Sequence, residues 1–297
     1  MGVNAEIEFP VIEFHSSDLE RGTDGWYRLC KRVREACETF GCFEVVYEKI
    51  STKTRKETFG LMKELIEVSL LYEGFGLGDA SNYDSVKNFT QLMSPDGHPR
   101  FCNTIYTMAT QIEELNKLIW LMIIDSYGFG EKWESVMINY KTLVRFMKYM
   151  APPPGEYERG LFAHTDKPVS TIICDDQVSG LEIEVNDGKW IKLSLSPSSF
   201  CFVVGDPLKS NGRLKAVNYR VMMSGDKDRF SIAAFAIPVE GTIIKAPKEL
   251  IDEQHPQLYK DFDFMDFFLF AFSDPAKHID SGEQLQAFAS LSLPISN

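Results

Sequence analysis

The sequence predicts an α+β fold of one compact domain, with a helical first half and a strand-rich second half. Apolar residues recur at helical spacing as far as Gly128, and from Leu143 the pattern changes to alternation at every second residue. About seven short β-rich runs, separated by turn residues, follow within about a hundred residues. This density of short strands favours a β-sandwich or barrel over a sheet of alternating strands and helices.

The first half predicts helices that are interrupted by short strands. The expected elements are a strand at Phe9–Phe14, a helix from Trp26 to Phe40, a strand at Cys42–Tyr47, a helix opening at Ser51 and Thr52, a loop at Leu70–Asp79, and a long helix ending near Gly128. Gly41 is expected to end the first helix because glycine tolerates the left-handed backbone found there. Ser51 is typical of a helix N-cap, since its hydroxyl accepts a bond from a free backbone N–H.

The second half predicts the strands of the sandwich or barrel. They are expected at Arg145–Tyr149, Ser170–Cys174, Leu181–Val185, Trp190–Leu193, Phe200–Val204, Tyr219–Met223 and Phe230–Ile237. Asp187 and Gly188 predict a tight hairpin. The aromatic stretch from Lys248 to about Phe272 predicts a helical tail packed on the barrel. We therefore divide the domain into a helical part, a strand core and a tail, at residues 1–142, 143–247 and 248–297.

Charge and cysteine content restrict the class of partner. The net charge of −12 argues against nucleic acid and against an anionic membrane, because both attract clustered lysine and arginine. None of the six cysteines forms a C-x-x-C pair, and the N-terminus shows no secretory signal. We expect a cytoplasmic protein with reduced thiols that acts on a small molecule.

Two short motifs carry the candidate chemistry. His164 and Asp166 lie two residues apart where a strand is expected to end, so both can point to one face and share a metal ion. Arg229 and Ser231 open a later strand, and they offer a guanidinium fork and a hydroxyl that suit a carboxylate. Lys167, beside the first motif, is expected to be solvated.

These motifs and their order resemble the plant 2-oxoglutarate/Fe(II)-dependent dioxygenases along nearly the whole chain. Within this family, the motifs are most similar to those of the branch that includes the glucosinolate side-chain-modifying dioxygenases. The matching segments are FPVIEF, FGCFEVV, RFMKY, AHTDK, VSGLEI, VVGD, SNGRLKAV and RFS. The resemblance implies a jelly-roll core, also called a double-stranded β-helix. It also implies that Arg229, Ser231 and Tyr149 bind the distal carboxylate of 2-oxoglutarate; the alternative for Arg229 is a salt bridge within the barrel.

One iron ligand expected from the resemblance is missing. In that family the His and Asp of H-x-D are joined by a second His, ten residues before the Arg of R-x-S. Here that position holds Tyr219. No histidine lies between His164 and Arg229, because the chain has only His15, His98, His164, His255 and His278. His164 and Asp166 would then be the only remaining metal ligands.

A neutral tyrosine is a poor ligand for Fe(II), and forming the phenolate is costly because its ordinary pKa is about 10. We therefore expect weak iron binding and a protein that requires no cofactor. In this hypothesis Asp166 hydrogen-bonds His164, His164 transfers protons, and Tyr219 donates to a developing oxyanion. Such chemistry suits isomerisation or cyclisation of a small, largely apolar molecule, for example a terpenoid-like one.

Two alternatives stay open from the sequence. The first is a working oxygenase that uses Fe(II) and 2-oxoglutarate at a modified iron site. The second is an inactive homologue, in which His164 and Asp166 are relics and Tyr219 fills the space of the lost ligand.

Overall fold

A computed structural model describes residues 8–68, 74–185, 188–209 and 211–291 of the chain. The N-terminal residues on which the absence of a signal was predicted lie partly outside these ranges. Seven α-helices are described: α1 Asp24–Thr39, α2 Thr52–Val68, α3 Tyr83–Met93, α4 Pro99–Ser126, α5 Trp133–Val136, α6 Phe264–Ala271 and α7 Gln284–Ala289. None of the helices in these ranges has the length and apolar character needed to cross a lipid bilayer.

The same ranges contain thirteen strands. They are β1 Val11–Glu13, β2 Cys42–Val46, β3 Gly74–Leu77, β4 Tyr140–Tyr149, β5 Tyr157–His164, β6 Ser170–Asp175, β7 Leu181–Val185, β8 Lys189–Lys192, β9 Ser199–Val204, β10 Tyr219–Ser224, β11 Arg229–Pro238, β12 Ile243–Ile244 and β13 Phe262–Asp263. The large sheet has the order β1-β2-β9-β6-β11-β4-β3, and the small sheet has the order β5-β10-β7-β8. All pairs in both sheets are antiparallel except β1 with β2.

The two sheets enclose one apolar interior. Ile173 and Ala233 from the large sheet pack with Ile183 and Tyr219 from the small sheet in a single buried cluster. A second and larger cluster fills the space between the other face of the large sheet and helices α1, α2 and α4. The predicted α+β class with a jelly-roll core is confirmed by this arrangement.

The predicted helix ends agree with the local chemistry. The Thr23 hydroxyl caps α1 by accepting from the Trp26 N–H, and Ser51 accepts from the Thr54 N–H at the start of α2. Gly41 follows α1 with a φ of +74°, and a Cβ there would lie 2.1 Å from the Lys215 carbonyl oxygen. Only glycine fits this position without displacing the backbone.

Several elements differ from the prediction. Part of the predicted loop Leu70–Asp79 is strand β3, which pairs with β4 because its backbone lies at the open edge of the large sheet; residues 70–73 lie outside the described ranges. Helix α3 was not predicted. The tail helix covers only Phe264–Ala271, since a 3₁₀ turn at Lys248–Leu250 and non-helical chain precede it.

The division into three segments does not separate helices from sheet. Strands β1, β2 and β3 all lie within residues 1–142 and complete the large sheet, and β4 crosses the proposed boundary. Strands β7 and β8 form the predicted hairpin, with Val185 opposite Lys189, although Asn186 and Asp187 lie outside the described ranges. In the tail, α6 and α7 share an apolar cluster that contacts Ile237 of β11, so the tail packs on the barrel as predicted.

Candidate active site

His164 and Asp166 lie side by side at the end of strand β5. Nε2 of His164 is 3.6 Å from Oδ1 of Asp166, which is too long for a good hydrogen bond. The other ring nitrogen, Nδ1, lies 2.8 Å from the carbonyl oxygen of Phe162. Because a carbonyl can only accept, Nδ1 carries the proton, and in the neutral ring Nε2 presents a bare lone pair. The Phe162 carbonyl therefore selects the tautomer, and the hydrogen bond expected between Asp166 and His164 is not formed.

Asp166 is buried and accepts hydrogen bonds from two hydroxyls. Tyr219 donates to Oδ1 over 2.9 Å, and Thr171 donates to Oδ2. Burial raises the pKa of Asp166 above its ordinary value, against the opposing effects of His164 and of the two hydroxyls. Each carboxylate oxygen still has a free lone pair, so both remain able to accept a further partner.

Tyr219 begins strand β10 directly opposite His164 in the antiparallel register. The two ring centroids are 4.4 Å apart, and the tyrosine is 4% exposed. Burial, followed by the negative charge of Asp166, raises the pKa of Tyr219 well above its ordinary value. Tyr219 is therefore a neutral phenol that donates a hydrogen bond.

Arg229, Ser231 and Tyr149 come together in the same interior, on adjacent strands. Arg229 lies opposite Tyr149 in the pairing of β11 with β4, and its guanidinium carbon is 5.6 Å from the centre of the tyrosine ring. Burial raises the pKa of Tyr149, while the Arg229 charge and a hydrogen bond with Ser231 act to lower it. Tyr149 in turn contributes to the raised pKa of Tyr219, so the two groups of predicted site residues are neighbours.

Asp175 is a site residue that the sequence analysis missed. The Arg229 Nη2 donates to Oδ2 of Asp175 over 3.1 Å, and both side chains are almost fully buried. The sequence signal for Asp175 was an acidic residue directly after the apolar run STIIC, because a buried acidic residue needs a partner.

Lys167 is not solvated, contrary to the prediction. Its ammonium group donates to Asp206 over 2.7 Å, to the Ser281 carbonyl over 2.7 Å and to Thr165 over 3.0 Å. Burial lowers the pKa of Lys167, although Asp206 opposes this shift. The side chain turns inward because the buried Asp206 carboxylate needs a counter-charge, and the cluster ties the chain on either side of Asp166 to the tail.

The donors fit one divalent metal ion in part. A bare imidazole nitrogen and a carboxylate oxygen 3.6 Å apart can bind the same cation, and the second ring nitrogen is held by a backbone carbonyl, as is usual for a metal-binding histidine. Among the described residues, no group of three or more His, Cys, Asp or Glu side chains is placed to hold a metal. The protein therefore offers an anchored two-donor site.

Comparison with known proteins decides the family. Residues 133–238 match the 2OG-Fe(II) oxygenase superfamily. The chain is 35% identical over 293 residues to the probable 2-oxoglutarate-dependent dioxygenase AOP1 of Arabidopsis thaliana, with 90% of this chain and 97% of the relative covered. The chain belongs to the 2-oxoglutarate/Fe(II)-dependent dioxygenase family. The family predicted from the motifs is thus confirmed.

Other relatives of this dioxygenase-family member include the 2-oxoglutarate-dependent dioxygenase AOP2 of Arabidopsis thaliana, 24% identical with 97% of this chain and 99% of the relative covered. Among solved structures, the rice dioxygenase for auxin oxidation superposes with a TM-score of 0.81 and 25% identity, covering 95% of this chain and all of that chain. The structure of JOX2 with 2OG, Fe and JA shows the same fold, with a TM-score of 0.78, 21% identity, and 95% and 89% coverage.

The prediction that no cofactor is required is wrong. AOP1 is a probable and AOP2 a named 2-oxoglutarate-dependent dioxygenase, and solved structures of the same fold hold 2-oxoglutarate, in one case together with iron. The physical reason is that Nε2 of His164 and Oδ1 of Asp166 lie close enough to bind the same cation, so two donors for a metal ion are present.

Proposed function

We propose that this protein is an Fe(II)- and 2-oxoglutarate-dependent oxygenase of plant specialised metabolism with a modified iron site. His164 and Asp166 are its two protein ligands, and Tyr219 stands at the position of the third. The observation that carries the proposal is the bare Nε2 of His164, which faces Oδ1 of Asp166 across 3.6 Å. Bound iron and 2-oxoglutarate supply the activation of dioxygen that oxidises the substrate.

One backbone carbonyl and two hydroxyl groups fix the orientation of the two proposed metal ligands. The Phe162 carbonyl fixes the His164 ring, and the Thr171 and Tyr219 hydroxyls orient the Asp166 carboxylate. Burial of this carboxylate favours its protonated form, so a metal cation competes with a proton for it. The neutral Tyr219 phenol donates its single O–H to Asp166, and its oxygen can still accept a hydrogen bond from a bound molecule.

The distal carboxylate of 2-oxoglutarate is assigned to Arg229, Ser231 and Tyr149. The guanidinium is 1% exposed, and its Nε has no hydrogen-bond partner among the described residues. A buried, unpaired donor on a cation favours an anionic ligand.

The substrate is proposed to be a small, largely apolar molecule, for example a terpenoid-like one. Phe162 lies two residues before His164 on strand β5, where the pairing with β10 is irregular, and the residue is 67% exposed. The Arg159 guanidinium carbon lies 3.6 Å from the ring centre. The support for an apolar substrate is therefore one exposed aromatic residue close in sequence to His164. We also propose that the protein is cytoplasmic. Its six free, buried cysteines support this location.

Succinate formation tests the proposed function. Purified protein is incubated with Fe(II), ascorbate, 2-oxoglutarate and a panel of apolar plant metabolites, and succinate is measured together with product mass. The expected result is succinate from the wild type and a loss of at least about a hundredfold in His164→Ala, because one of two anchoring donors is removed. Equal succinate from the wild type and from His164→Ala would refute the proposal.

Acid–base isomerisation or cyclisation is a second candidate. The hydrogen bond from Tyr219 to Asp166 favours it, because it places a proton donor and a carboxylate of raised pKa beside an imidazole. In the same assay this chemistry gives a product with the mass of its substrate and no succinate in proportion to it.

A further inference from the structure

Arg229 and Asp175 form an ion pair in the barrel interior. Both side chains are shielded from solvent, with exposures of 1% and 3%, and they are joined by the single contact from Nη2 to Oδ2. A guanidinium carries five N–H donors, so this bond uses only a part of its capacity. Asp175 thus neutralises the charge of Arg229 without filling its hydrogen-bonding positions.

Asp175 is held in place by its own surroundings. Its Oδ1 accepts from the Gln177 N–H over 3.1 Å, and its backbone lies opposite Ser231 in the pairing of β6 with β11. The Arg55 guanidinium donates to the Asp175 carbonyl oxygen over 2.8 Å. The carboxylate is therefore fixed beside the same strand positions, Arg229 and Ser231, that are assigned to the ligand.

The Arg229 side chain has little freedom to leave this partner. A Cβ on Gly180 would lie 3.0 Å from its Cδ, and the centre of the Tyr149 ring is 5.6 Å from its guanidinium carbon. An incoming carboxylate must then share the cation with Asp175. Two carboxylates on one buried cation repel each other, because the low local dielectric strengthens their interaction.

We infer that Asp175 is a built-in competitor for the carboxylate that Arg229 binds, and that it sets a low affinity for 2-oxoglutarate. This inference rests on the proposed function. It makes Asp175 an affinity-determining residue of the co-substrate site. The effect is expected to be specific to ligands with a second carboxylate, because the proposed function assigns the other end of the molecule to His164 and Asp166.

Direct binding measurements on Asp175→Asn test the inference without turnover. The protein is loaded with Mn(II), and calorimetry gives the dissociation constants of 2-oxoglutarate and of 2-oxobutyrate, which lacks the distal carboxylate. We expect Asp175→Asn to bind 2-oxoglutarate at least about tenfold more tightly than the wild type, because the like charge is gone. The affinity for 2-oxobutyrate is expected to stay within about twofold.

Asp176→Asn is the matched control. Asp176 is the adjacent residue and carries the same charge, but it pairs with Lys63 over 2.8 Å and accepts from the Phe230 N–H. Its substitution is expected to leave 2-oxoglutarate affinity within about twofold of the wild type. If Asp175→Asn does not fold, Asp175→Ser replaces it, since serine keeps an acceptor for the Gln177 N–H.

The outcomes separate the inference from the proposed function. Unchanged or weaker binding of 2-oxoglutarate by folded Asp175→Asn or Asp175→Ser overturns the inference, even if the wild type forms succinate. An equal gain in affinity for 2-oxobutyrate also overturns the inference, because the effect would then not involve the distal carboxylate. Failure of the wild type and of every variant to bind 2-oxoglutarate overturns the proposed function as well.

Discussion

The phenolic O–H of Tyr219 donates a hydrogen bond to Oδ1 of Asp166 over 2.9 Å, and this same oxygen is the one nearest to Nε2 of His164. The hydrogen bond therefore draws electron density from the oxygen best placed to bind a metal. Burial keeps the phenol protonated, since the pKa of Tyr219 lies well above its ordinary value. Tyr219 is thus a hydrogen-bond donor to Asp166, which is proposed as a metal ligand, and Tyr219 itself is not proposed as one.

Replacing Tyr219 by histidine is expected to strengthen metal binding. An imidazole at the start of β10, opposite His164, adds a neutral nitrogen donor and removes the hydrogen bond to Asp166. We expect Tyr219→His to bind Co(II) at least about tenfold more tightly than the wild type. Co(II) titration followed by visible absorption measures this. Tyr219→Phe is the control, because it removes the hydroxyl without adding a donor. Equal affinity of Tyr219→His and Tyr219→Phe would contradict the assignment of this position.

Removing the Ser170 hydroxyl is expected to destabilise the fold. Trp120 of α4 donates to this hydroxyl over 2.9 Å, and the hydroxyl donates to Asn116 over 2.8 Å, all in the buried interface between α4 and the large sheet. Ser170→Ala leaves two buried polar groups unpaired, which costs about 2–3 kcal/mol. Urea unfolding measures the loss. The control Ser135→Ala removes an exposed hydroxyl, and its expected effect is within about 0.5 kcal/mol. Equal effects of the two substitutions would exclude this interface as the cause.

The cysteines are expected to resist alkylation in the native protein. All six are free and buried, and burial raises the pKa of Cys174 to about 11 and that of Cys30 to about 12. At pH 8 the thiolate fraction of Cys174 is then about one in a thousand, and only the thiolate reacts. Mass spectrometry after iodoacetamide treatment should show an unlabelled native chain, and six labels once urea has unfolded it. Fast native labelling of Cys174 would show that the strand β6 opens.

Glu113 is expected to stabilise the fold in a pH-dependent manner. Burial acts to raise the pKa of Glu113, but hydrogen bonds from Lys117, Ser81 and Thr142 outweigh this effect, and the pKa is lowered. The contribution of a carboxylate whose pKa is lowered by folding is present above its unfolded pKa and disappears as the pH falls through its folded pKa.

Glu113→Gln should therefore reduce the free energy of unfolding by about 1 kcal/mol at pH 7, a value that allows for solvent screening of the partly exposed Lys117. The difference should shrink as the pH falls below about 4. Urea unfolding at several pH values measures it. Glu114→Gln is the control, since Glu114 pairs with Lys49 at the exposed surface and its expected effect is smaller. A loss of unfolding free energy that does not change with pH would mean that the charge of Glu113 does not cause the stabilisation.

The fold was predictable wherever one segment carries its own pattern. The apolar stripe of α4 and the alternating run of β11 each specify an element and a buried face without reference to the rest of the chain. Strand β3 was not predicted because the three glycines in and next to it are typical of a loop. Its backbone becomes a strand only by pairing with β4. The tail helix was predicted too long, since aromatic residues pack in a tertiary cluster with or without helical backbone.

The sequence by itself determined the family, the place of His164 and Asp166 at a strand end, and Tyr219 at the position expected for a further ligand, because these follow from motif spacing along one chain. Tertiary structure alone decided that Lys167 turns inward to Asp206 and that Asp175 faces Arg229. The physical reason is that a buried charge takes whichever partner the packed sheets place within hydrogen-bond distance. That partner lies 54 residues away for Arg229, where local patterns carry no information.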